Sequence, residues 1–253
     1  RDVTKEKEVE RMKTEFVSLV SHQLRPPLSG MKWFAEMLRM GDVGPLNAPQ
    51  KEFLDNIHEL NERMIVLVND LLSISRIESG RIFIEPKPTD LGELIQEVLK
   101  AFHDKVKGKE LKVTVNISNR LPAIKIDPKL IREVYSNLIS NAIKYTPPGG
   151  KIRISLSVRG GEILSEVSDS GYGVPKTEQR KVFQKFYRGS NIVSIETDGN
   201  GLGLYLVKGV VEASGGTVWF KSEAGKGTSF FFTLPKKGSK PTSPMSGNFP
   251  LSS

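Results

Sequence analysis

The apolar positions in the first part of the chain follow the spacing of helices that pack along one seam. Val9, Met12, Phe16 and Leu19 recur at steps of 3, 4 and 3. Further on, steps of 4 and 3 alternate over three heptads, through Phe53, Ile57, Leu60, Met64, Leu67, Leu71 and Ile74. Repeats of this kind are typical of supercoiled helical bundles. We therefore predict two long helices within residues 4–78.

A short polar segment separates the two predicted helices. Residues 41–47 contain two glycines, a proline, an aspartate and an asparagine, which is typical of a turn. Pro49 suits the first turn of the second helix, and Gly80 suits its C-terminal end. A hairpin with one long apolar seam cannot bury that seam alone. We therefore predict that two copies form an antiparallel four-helix bundle, and hence a homodimer.

After residue 80 the pattern changes to short runs of β-branched residues. The predicted strands are residues 81–85, 111–117, 151–158, 163–168, 217–222 and 229–234. The predicted helices are residues 91–107, 128–145 and 203–214. Strands in adjacent pairs with interspersed helices predict an α+β layer, in which helices cover one face of a mixed sheet. The change of pattern around residues 79–88, with Pro86 and Pro88, is the predicted domain boundary.

Composition narrows the class of protein. The 253 residues include no cysteine, which excludes disulfides and thiolate metal sites and fits a reducing, cytoplasmic compartment. No apolar run approaches the roughly 20 residues of a membrane span, so we expect no membrane contact, although an upstream region could carry an anchor. The net charge is +8, but a Ser/Pro/Gly-rich tail supplies three of the lysines and the other charges alternate in sign. We therefore expect no nucleic-acid partner and a disordered tail over residues 236–253.

A histidine lies beside two consecutive prolines in the first predicted helix. Extending the apolar repeat places Gln23 on the seam and His22 one step to its side, where solvent and a second domain can reach it. Pro26 and Pro27 lack the N–H groups that would bond to the carbonyls of His22 and Gln23, so we expect the helix to bend there. The alternative is a surface histidine with no role. His58, on the second helix, is interpreted as a surface or bundle-edge residue.

Three glycine clusters occur in the second half of the chain, at residues 169–173, 199–204 and 225–228. The second matches part of a dinucleotide fingerprint, but a polar loop precedes it where a strand should be, so a Rossmann site is excluded. The chain contains neither a P-loop nor the catalytic segments of a Ser/Thr/Tyr protein kinase. The second cluster is therefore interpreted as a loop at the start of a helix near Gly203. The N–H groups at the start of that helix have no partner within the helix and suit a phosphate.

A predicted helix carries a polar face that suits a metal-bound phosphate. Asn137 and Asn141 are four residues apart and share one face, and Lys144 follows at the next turn. Two amide oxygens and a cation could hold Mg²⁺ and phosphate, because Mg²⁺ prefers oxygen ligands. The alternative is a solvated polar face beside the apolar stripe of residues 134, 138 and 142.

Taken in order, these segments resemble the catalytic core of a sensor histidine kinase. Ser21–Leu28 resembles the phosphoacceptor box of that family, and Asn137–Thr146 resembles its asparagine box. Val182–Arg188 resembles the phenylalanine box. The three glycine boxes resemble Asp169–Gly173, Gly199–Leu204 and Gly225–Thr228. Residues 1–4 also resemble the closing strand of a PAS sensor domain, which implies an upstream sensor and a signalling coiled coil over residues 5–20.

The resemblance implies a multidomain architecture of α and α+β domains. Residues 1–15 would be a linker from the sensor, residues 16–80 a helical hairpin for dimerisation and histidine phosphotransfer, and residues 86–235 a Bergerat-type α/β sandwich that binds ATP. His22 would take the γ-phosphoryl group of Mg·ATP and pass it to an aspartate of a response regulator. This chemistry depends more on positioning and charge neutralisation than on covalent work.

The resemblance also implies roles for individual residues. Asn141 with Asn137 would ligate Mg²⁺, Asp169 would accept a hydrogen bond from the adenine amino group, and Tyr145 would pack against adenine. Lys144 and Arg188 would face phosphate charge. Residues 189–200 would form a lid over the nucleotide. The remaining implied nucleotide-binding residues are Gly171, Gly173, Gly199, Gly201, Leu202, Gly203 and Thr228. Gln23 and Arg25 would complete the phosphoacceptor site with His22.

The chain departs from the family pattern at two positions. Gln23 stands where an acidic residue usually follows the histidine, and it cannot take a proton, so we expect slower autophosphorylation. Pro26 stands where Thr or Asn usually holds a water for dephosphorylating the regulator, so we expect weak phosphatase activity.

Two other functions remain open at this point. One is an ATPase with the same nucleotide fold, of the gyrase, chaperone or mismatch-repair type, with Glu133 as the carboxylate base. The other is a non-catalytic dimeric scaffold that binds ATP and relays a signal by docking. The histidine and heptads of the first half disfavour the ATPase, and the intact nucleotide boxes disfavour the scaffold.

Overall fold

The computed structural model describes residues 3–80, 82–118, 121–193 and 199–241. The chain divides into two compact units, Arg1–Arg81 and Ile82–Ser253. None of the described helices is both long enough and apolar enough to cross a membrane.

The first unit is a hairpin of two long helices, α1 (Val3–Met40) and α2 (Ala48–Glu78). Asn47 caps α2: its side chain accepts from Gln50 N, and the Gln50 side chain accepts from Asn47 N, both at 2.9 Å. This reciprocal pair satisfies two backbone donors that the helix start leaves free. The predicted helices and turn are confirmed.

Helix α1 continues through Pro26 and Pro27, which lie inside it, although neither supplies a backbone N–H to the preceding turn. The bend expected at these two prolines stays a prediction. The helix differs from expectation at its start. Val3 and Thr4 belong to its first turn and not to a strand, so the resemblance to the closing strand of a PAS domain fails at these two residues. Arg1 and Asp2 lie outside the described residues.

Helix α2 carries two apolar faces. One is buried and contains Leu54, Val68 and Leu72, together with the polar Asn61. The predicted heptad seam forms the other face and is largely open to solvent: Phe53, Ile57, Leu60 and Met64 are 69%, 54%, 60% and 47% exposed. The seam of a single chain is therefore left uncovered over most of its length.

The second unit is built on a five-stranded sheet with the strand order β2-β4-β5-β7-β6. Its strands are β2 (Lys112–Ile117), β4 (Lys151–Arg159), β5 (Glu162–Asp169), β6 (Val218–Glu223) and β7 (Gly227–Pro235). Strand β2 runs parallel to β4, and the other neighbours are antiparallel. A separate pair joins β1 (Lys87–Thr89) to β3 (Ile124–Ile126).

Helices complete a two-layer sandwich in this unit. They are α3 (Leu91–Ala101), α4 (His103–Gly108), α5 (Pro128–Tyr145), the short α6 (Ser190–Val193) and α7 (Gly203–Ala213). Alternate strand residues such as Ile154, Val167 and Phe232 are buried in one core with the apolar face of α5. Inside that core the Tyr135 hydroxyl lies 2.7 Å from Ser165 Oγ, which satisfies both buried groups. The predicted mixed α/β sandwich is confirmed.

Three local predictions are wrong. Residues 82–85 form no strand; the first strand is β1, whose partner β3 was not predicted. Both are only three residues long, too short for an alternating pattern to stand out. The predicted helix 91–107 is divided at Phe102 into α3 and α4.

The third error concerns the start of the tail. Ser239 is buried: its backbone N–H donates to Lys125 O at 2.8 Å, and its hydroxyl donates to Ser214 O at 3.1 Å. The chain from Lys236 to Ser239 is therefore part of the fold and not a disordered tail. Residues 242–253 lie outside the described residues.

Candidate functional site

Helix α5 forms the base of the candidate site. Asp127 caps its start by accepting from Lys129 N at 3.0 Å and Leu130 N at 3.2 Å, and Pro128 fits the first turn because that position needs no N–H donor. One face of α5 is buried in the core. Asn137 and Asn141 are half-buried, which leaves polar groups at the edge of the core.

A lysine from outside α5 fixes the C-terminal end of this helix. Lys109 Nζ donates to the carbonyls of Ile143 at 3.1 Å and Lys144 at 2.9 Å. A cation there satisfies free carbonyls and opposes the negative end of the helix dipole. Lys109 thereby holds the turn that carries Lys144 and Tyr145. Sequence reasoning missed it, because a single lysine 34 residues before its acceptor leaves no local signal.

The second glycine cluster lies directly against the asparagine helix. A Cβ on Gly203, the first residue of α7, would lie 2.4 Å from Asn137 Oδ1, and a Cβ on Gly199 would lie 2.9 Å from Lys144 Nζ. Asn137 Nδ2 donates to Glu133 O at 3.0 Å, which leaves its oxygen on the side of Gly203. The start of α7, with N–H groups that have no partner within the helix, therefore faces the predicted Mg²⁺ and phosphate residues.

Gly203→Ala tests whether this close approach matters. A methyl group at 2.4 Å from Asn137 Oδ1 forces either the amide or the start of α7 to move. We expect nucleotide affinity to fall by roughly tenfold, the effect of losing about one hydrogen bond to a charged group. Titration with an ATP analogue measures it. Gly161→Ala is the matched control, because a Cβ there meets nothing within 4 Å; equal affinities for the two variants would contradict the prediction.

Asp169 lies at the end of β5, where three elements converge. Its Oδ1 accepts from Gly171 N at 2.8 Å and from Thr228 N at 3.2 Å, while Oδ2 accepts from neither. Burial raises the pKa of Asp169 to about 6, against the lowering effect of these two bonds. A mostly buried carboxylate with one oxygen left over fits the amino group of an adenine ring.

Glycines allow the backbone to close around Asp169. A Cβ on Gly171 would lie 2.3 Å from Tyr145 O, and a Cβ on Gly227 would lie 2.0 Å from Asp169 O. Tyr172 N also donates to Tyr145 O at 3.2 Å. The structure therefore brings Asp169, Gly171 and Thr228 together with Tyr145 at the end of α5. All four are residues that the sequence predicts for the nucleotide site.

The segment predicted as a lid is anchored by residues that sequence reasoning did not identify. Glu178 accepts from the Tyr187 hydroxyl at 2.5 Å, from Ser190 N at 3.0 Å and from Ser190 Oγ, and these bonds lower the pKa of Glu178 to about 2. Asn191 Nδ2 donates to Gly173 O at 3.0 Å. The start of the segment is thus attached to the first glycine cluster.

The far end of this segment returns to nearly the same place. A Cβ on Gly201 would lie 2.6 Å from the backbone carbon of Phe186 and 2.8 Å from Tyr187 O. Leu202 is fully buried, and its N–H donates to Asn200 Oδ1 at 3.0 Å. Residues 194–198 between the two ends lie outside the described residues. Arg188 is half-buried.

The predicted phosphoacceptor residues lie in the first unit. His22 and Gln23 are exposed on α1, between the buried Ser21 and Leu28. Arg25 Nη2 donates to Asn69 Oδ1 on α2 at 3.1 Å. An exposed imidazole is open to a reaction partner.

Sequence families match both units. Residues 12–80 match the His Kinase A (phospho-acceptor) domain, and residues 126–238 match the histidine kinase-, DNA gyrase B- and HSP90-like ATPase family.

Curated relatives extend this likeness over most of the chain. The circadian input-output histidine kinase CikA of Synechococcus elongatus is 34% identical over 227 residues, which cover 89% of this chain and 30% of CikA. The sensor histidine kinase WalK of Bacillus subtilis is 36% identical over 243 residues, covering 93% of this chain and 39% of WalK. The chain thus spans well under half the length of these relatives.

Solved structures show the same architecture. Full-length ShkA in complex with AMPPNP superposes with a TM-score of 0.71 at 29% identity, covering 91% of this chain and 47% of that chain. The catalytic domain of the histidine kinase ThkA superposes with a TM-score of 0.54 at 29% identity, covering 60% of this chain and 96% of that domain.

Proposed function

This chain belongs to the histidine kinase family as a sensor kinase catalytic core, and from that premise we propose that it phosphorylates itself on His22 from ATP and passes the phosphoryl group to an aspartate of a response regulator. The observation that carries the proposal is that two predicted nucleotide-binding clusters lie against one helix of the ATPase unit. Gly203 lies against Asn137 of α5, and Gly171, which donates to Asp169, lies against Tyr145 at the end of α5. A kinase also needs an accessible acceptor, and the exposed His22 of the phospho-acceptor unit supplies it.

The proposed reaction is a phosphoryl transfer in two steps. The lone pair of His22 Nε2 forms a bond to the γ-phosphorus while the bond from phosphorus to the bridging oxygen breaks. The electrons of that bond stay with ADP, and the Nδ1 proton passes to solvent. In the second step a carboxylate oxygen of the receiver aspartate takes the phosphoryl group, and the N–P bonding electrons return to nitrogen. The protein contributes chiefly position and charge to both steps.

The residues of the ATPase unit suit ATP as the phosphoryl donor. Asp169 offers a half-buried acceptor for the adenine amino group, and the start of α7 offers to phosphate N–H groups that have no partner within the helix. Asn141 and Asn137 would hold Mg²⁺ through their amide oxygens, and bound Mg²⁺ would neutralise phosphate charge. Tyr145 would lie against adenine, with Lys144 and Arg188 toward the phosphates. Lys144 Nζ lies 5.4 Å from the centroid of the Tyr145 ring, so the two side chains lie together.

The uncovered apolar seam supports a homodimer. Phe16 and Leu19 on α1, like Phe53 and Leu60 on α2, are large apolar side chains that remain exposed. Exposed apolar surface of this extent is typical of an interface, and a second copy of the hairpin would bury it in a four-helix bundle. The further proposed partners are a receiver domain and an upstream sensor domain.

Gln23→Glu should speed autophosphorylation. Gln23 can orient the imidazole through its amide oxygen, but it cannot take the Nδ1 proton or stabilise a positive ring. A carboxylate adds both effects, so we expect an increase of up to roughly 100-fold in the initial rate at saturating Mg·ATP. Gln96→Glu adds the same charge on an exposed site of α3 and should have no effect. An unchanged rate in Gln23→Glu would contradict the prediction that the missing carboxylate after His22 slows autophosphorylation.

Pro26 predicts weak phosphatase activity toward the phosphorylated regulator. Its ring offers no hydrogen-bonding group to hold an attacking water four residues after His22. Adding the protein with nucleotide to a phosphorylated receiver should leave the decay rate close to the spontaneous value, and Pro26→Thr should accelerate it. Rapid decay with the unaltered protein would overturn this prediction.

The proposed function is tested by incubating the protein with Mg·ATP that is labelled in the γ-phosphate. Both the label bound to the protein and the free phosphate are then measured. Stable label on the protein with little free phosphate is the expected result. Free phosphate with no bound label would indicate an ATPase of the gyrase or chaperone type, with Glu133 as the candidate base. Tight nucleotide binding with neither product would indicate a signalling scaffold.

A further inference from the structure

A row of polar contacts joins the two helices of the hairpin at heptad intervals. The contacts are Arg39 Nε to Asp55 Oδ1 at 2.9 Å, Lys32 Nζ to Glu62 Oε1 at 2.8 Å, and Arg25 Nη2 to Asn69 Oδ1 at 3.1 Å. Seven residues separate successive contacts on each helix, and the contacts advance in opposite directions along the two helices because the hairpin is antiparallel. Because seven residues are close to two helical turns, the three contacts lie along one edge of the hairpin.

One of the three contacts differs in charge. Asp55 and Glu62 are carboxylates, and each opposes a cation on α1. Asn69 occupies the same position two turns farther on, but its amide oxygen carries no net charge. It holds the Arg25 guanidinium by a hydrogen bond without neutralising it.

The contact with the neutral partner is also the one beside His22. Arg25 follows His22 by three residues, so the two side chains are neighbours on the helix surface. Helical side chains lean toward the N-terminus, and Arg25 therefore leans toward the turn that carries His22. A phosphoryl group on His22 would bring nearly two negative charges to this place, and a guanidinium is the side chain best suited to bind it.

We propose that Asn69 acts as an uncharged partner of Arg25, which leaves the charge of the guanidinium beside His22 available to the phosphoryl group. The inference rests on the proposed phosphorylation of His22. As the Nε2–P bond forms and ADP leaves with the electrons of the broken P–O bond, Arg25 opposes the negative charge that arrives. A carboxylate at position 69 would pair with Arg25, as happens at the other two contacts, and would repel the phosphoryl group.

Asn69→Asp tests this directly, because it changes the charge and almost nothing of the shape. At low salt we expect the initial rate of autophosphorylation at saturating Mg·ATP to fall about three- to tenfold, the range for a newly formed exposed ion pair plus weak repulsion. The KM for ATP should not change, since Asn137 and Asp169 belong to the other unit. At about 1 M salt the deficit should shrink to less than roughly twofold, because exposed charges are then screened.

Two variants separate the charge from its side effects. Asn69→Ala removes the hydrogen bond without adding charge and should change the rate by less than about twofold. Asn56→Asp adds the same charge to an exposed site 13 positions earlier on α2 and should have no effect. Arg25→Ala should slow the reaction at least as much as Asn69→Asp.

The outcomes distinguish this inference from the proposed function. If the unaltered protein takes up no label, the phosphorylation of His22 itself is wrong. If it is labelled normally and Asn69→Asp matches its rate at low salt, the role of Asn69 is wrong while the kinase remains. Two other results would also contradict the inference. One is a rate deficit in Asn69→Asp that persists in high salt. The other is an equal rate deficit in Asn69→Ala or Asn56→Asp, because either result would indicate a structural effect and not an effect of charge beside Arg25.

Discussion

His22→Gln should abolish incorporation of the γ-phosphate of ATP into the protein. Glutamine retains a polar side chain of similar reach on the exposed face of α1 but has no nucleophilic nitrogen, since its amide lone pair is delocalised. The helix should be undisturbed, because His22 is exposed and glutamine is a good helix former. Label measured after denaturation should fall to background.

Nucleotide binding should survive this change. The residues proposed to hold ATP lie in the second unit, and His22 lies in the first. The affinity for an ATP analogue should therefore match that of the unaltered protein. His58→Gln is the matched control, since His58 lies on α2 with Glu36 carboxylate oxygen 3.9 Å from its Nε2. Persistent label in His22→Gln, or loss of label in His58→Gln, would place the acceptor elsewhere.

Asp169→Asn should weaken nucleotide binding by roughly 100-fold, which corresponds to about 3 kcal/mol. Two backbone N–H groups, from Gly171 and Thr228, point at Oδ1. The asparagine must place its carbonyl oxygen there to accept them, so its NH₂ takes the position of Oδ2. An amino donor then faces the amino donor of adenine, where the carboxylate offered an acceptor.

A second asparagine substitution separates this effect from stability. In Asp90→Asn the altered residue is the cap of α3, where Oδ1 likewise accepts two backbone N–H groups, from Gly92 and Glu93. Asparagine caps helices as well as aspartate does, so this variant should bind nucleotide normally. Calorimetric titration with an ATP analogue measures both. Equal affinity in Asp169→Asn and the unaltered protein would remove Asp169 from the site.

The same carboxylate predicts a pH dependence of binding. Burial raises the pKa of Asp169 to about 6, so the group is mostly ionised at pH 7 and becomes protonated as the pH falls through 6. The protonated acid is a weaker acceptor for the adenine amino group, and affinity should therefore decline across that interval. Asp169→Asn has no proton to gain there and should lose this part of the pH dependence.

Much of the architecture could be predicted from local pattern. The bounds of α5 follow from Asp127 and Pro128 at its start and Pro147 just beyond its end, which are strong helix signals. The five strands of the main sheet are long enough for burial on one face to leave a pattern of alternation. Strands β1 and β3 have only three residues each, and their pairing joins residues that are 35 to 39 positions apart in the sequence.

The site could be predicted residue by residue but not as an arrangement. Gly203 and Asn137 both stood out as sequence motifs, yet only the fold shows that one lies against the other. Lys109 and Glu178 belong to no short motif, because each acts through hydrogen bonds to distant backbone or side-chain groups. The neutral contact at Asn69 depends on the register of two helices, which the heptad pattern of either helix alone does not determine.

The chemistry of the phosphorylated residue tests the central claim most directly. The protein is incubated with γ-labelled Mg·ATP, treated separately with acid and alkali, and digested to locate the label. The account predicts label that acid removes and alkali leaves, in the peptide containing His22, because a phosphorus–nitrogen bond breaks once the ring nitrogen is protonated. Acid-stable label, or label in a peptide without His22, would contradict it.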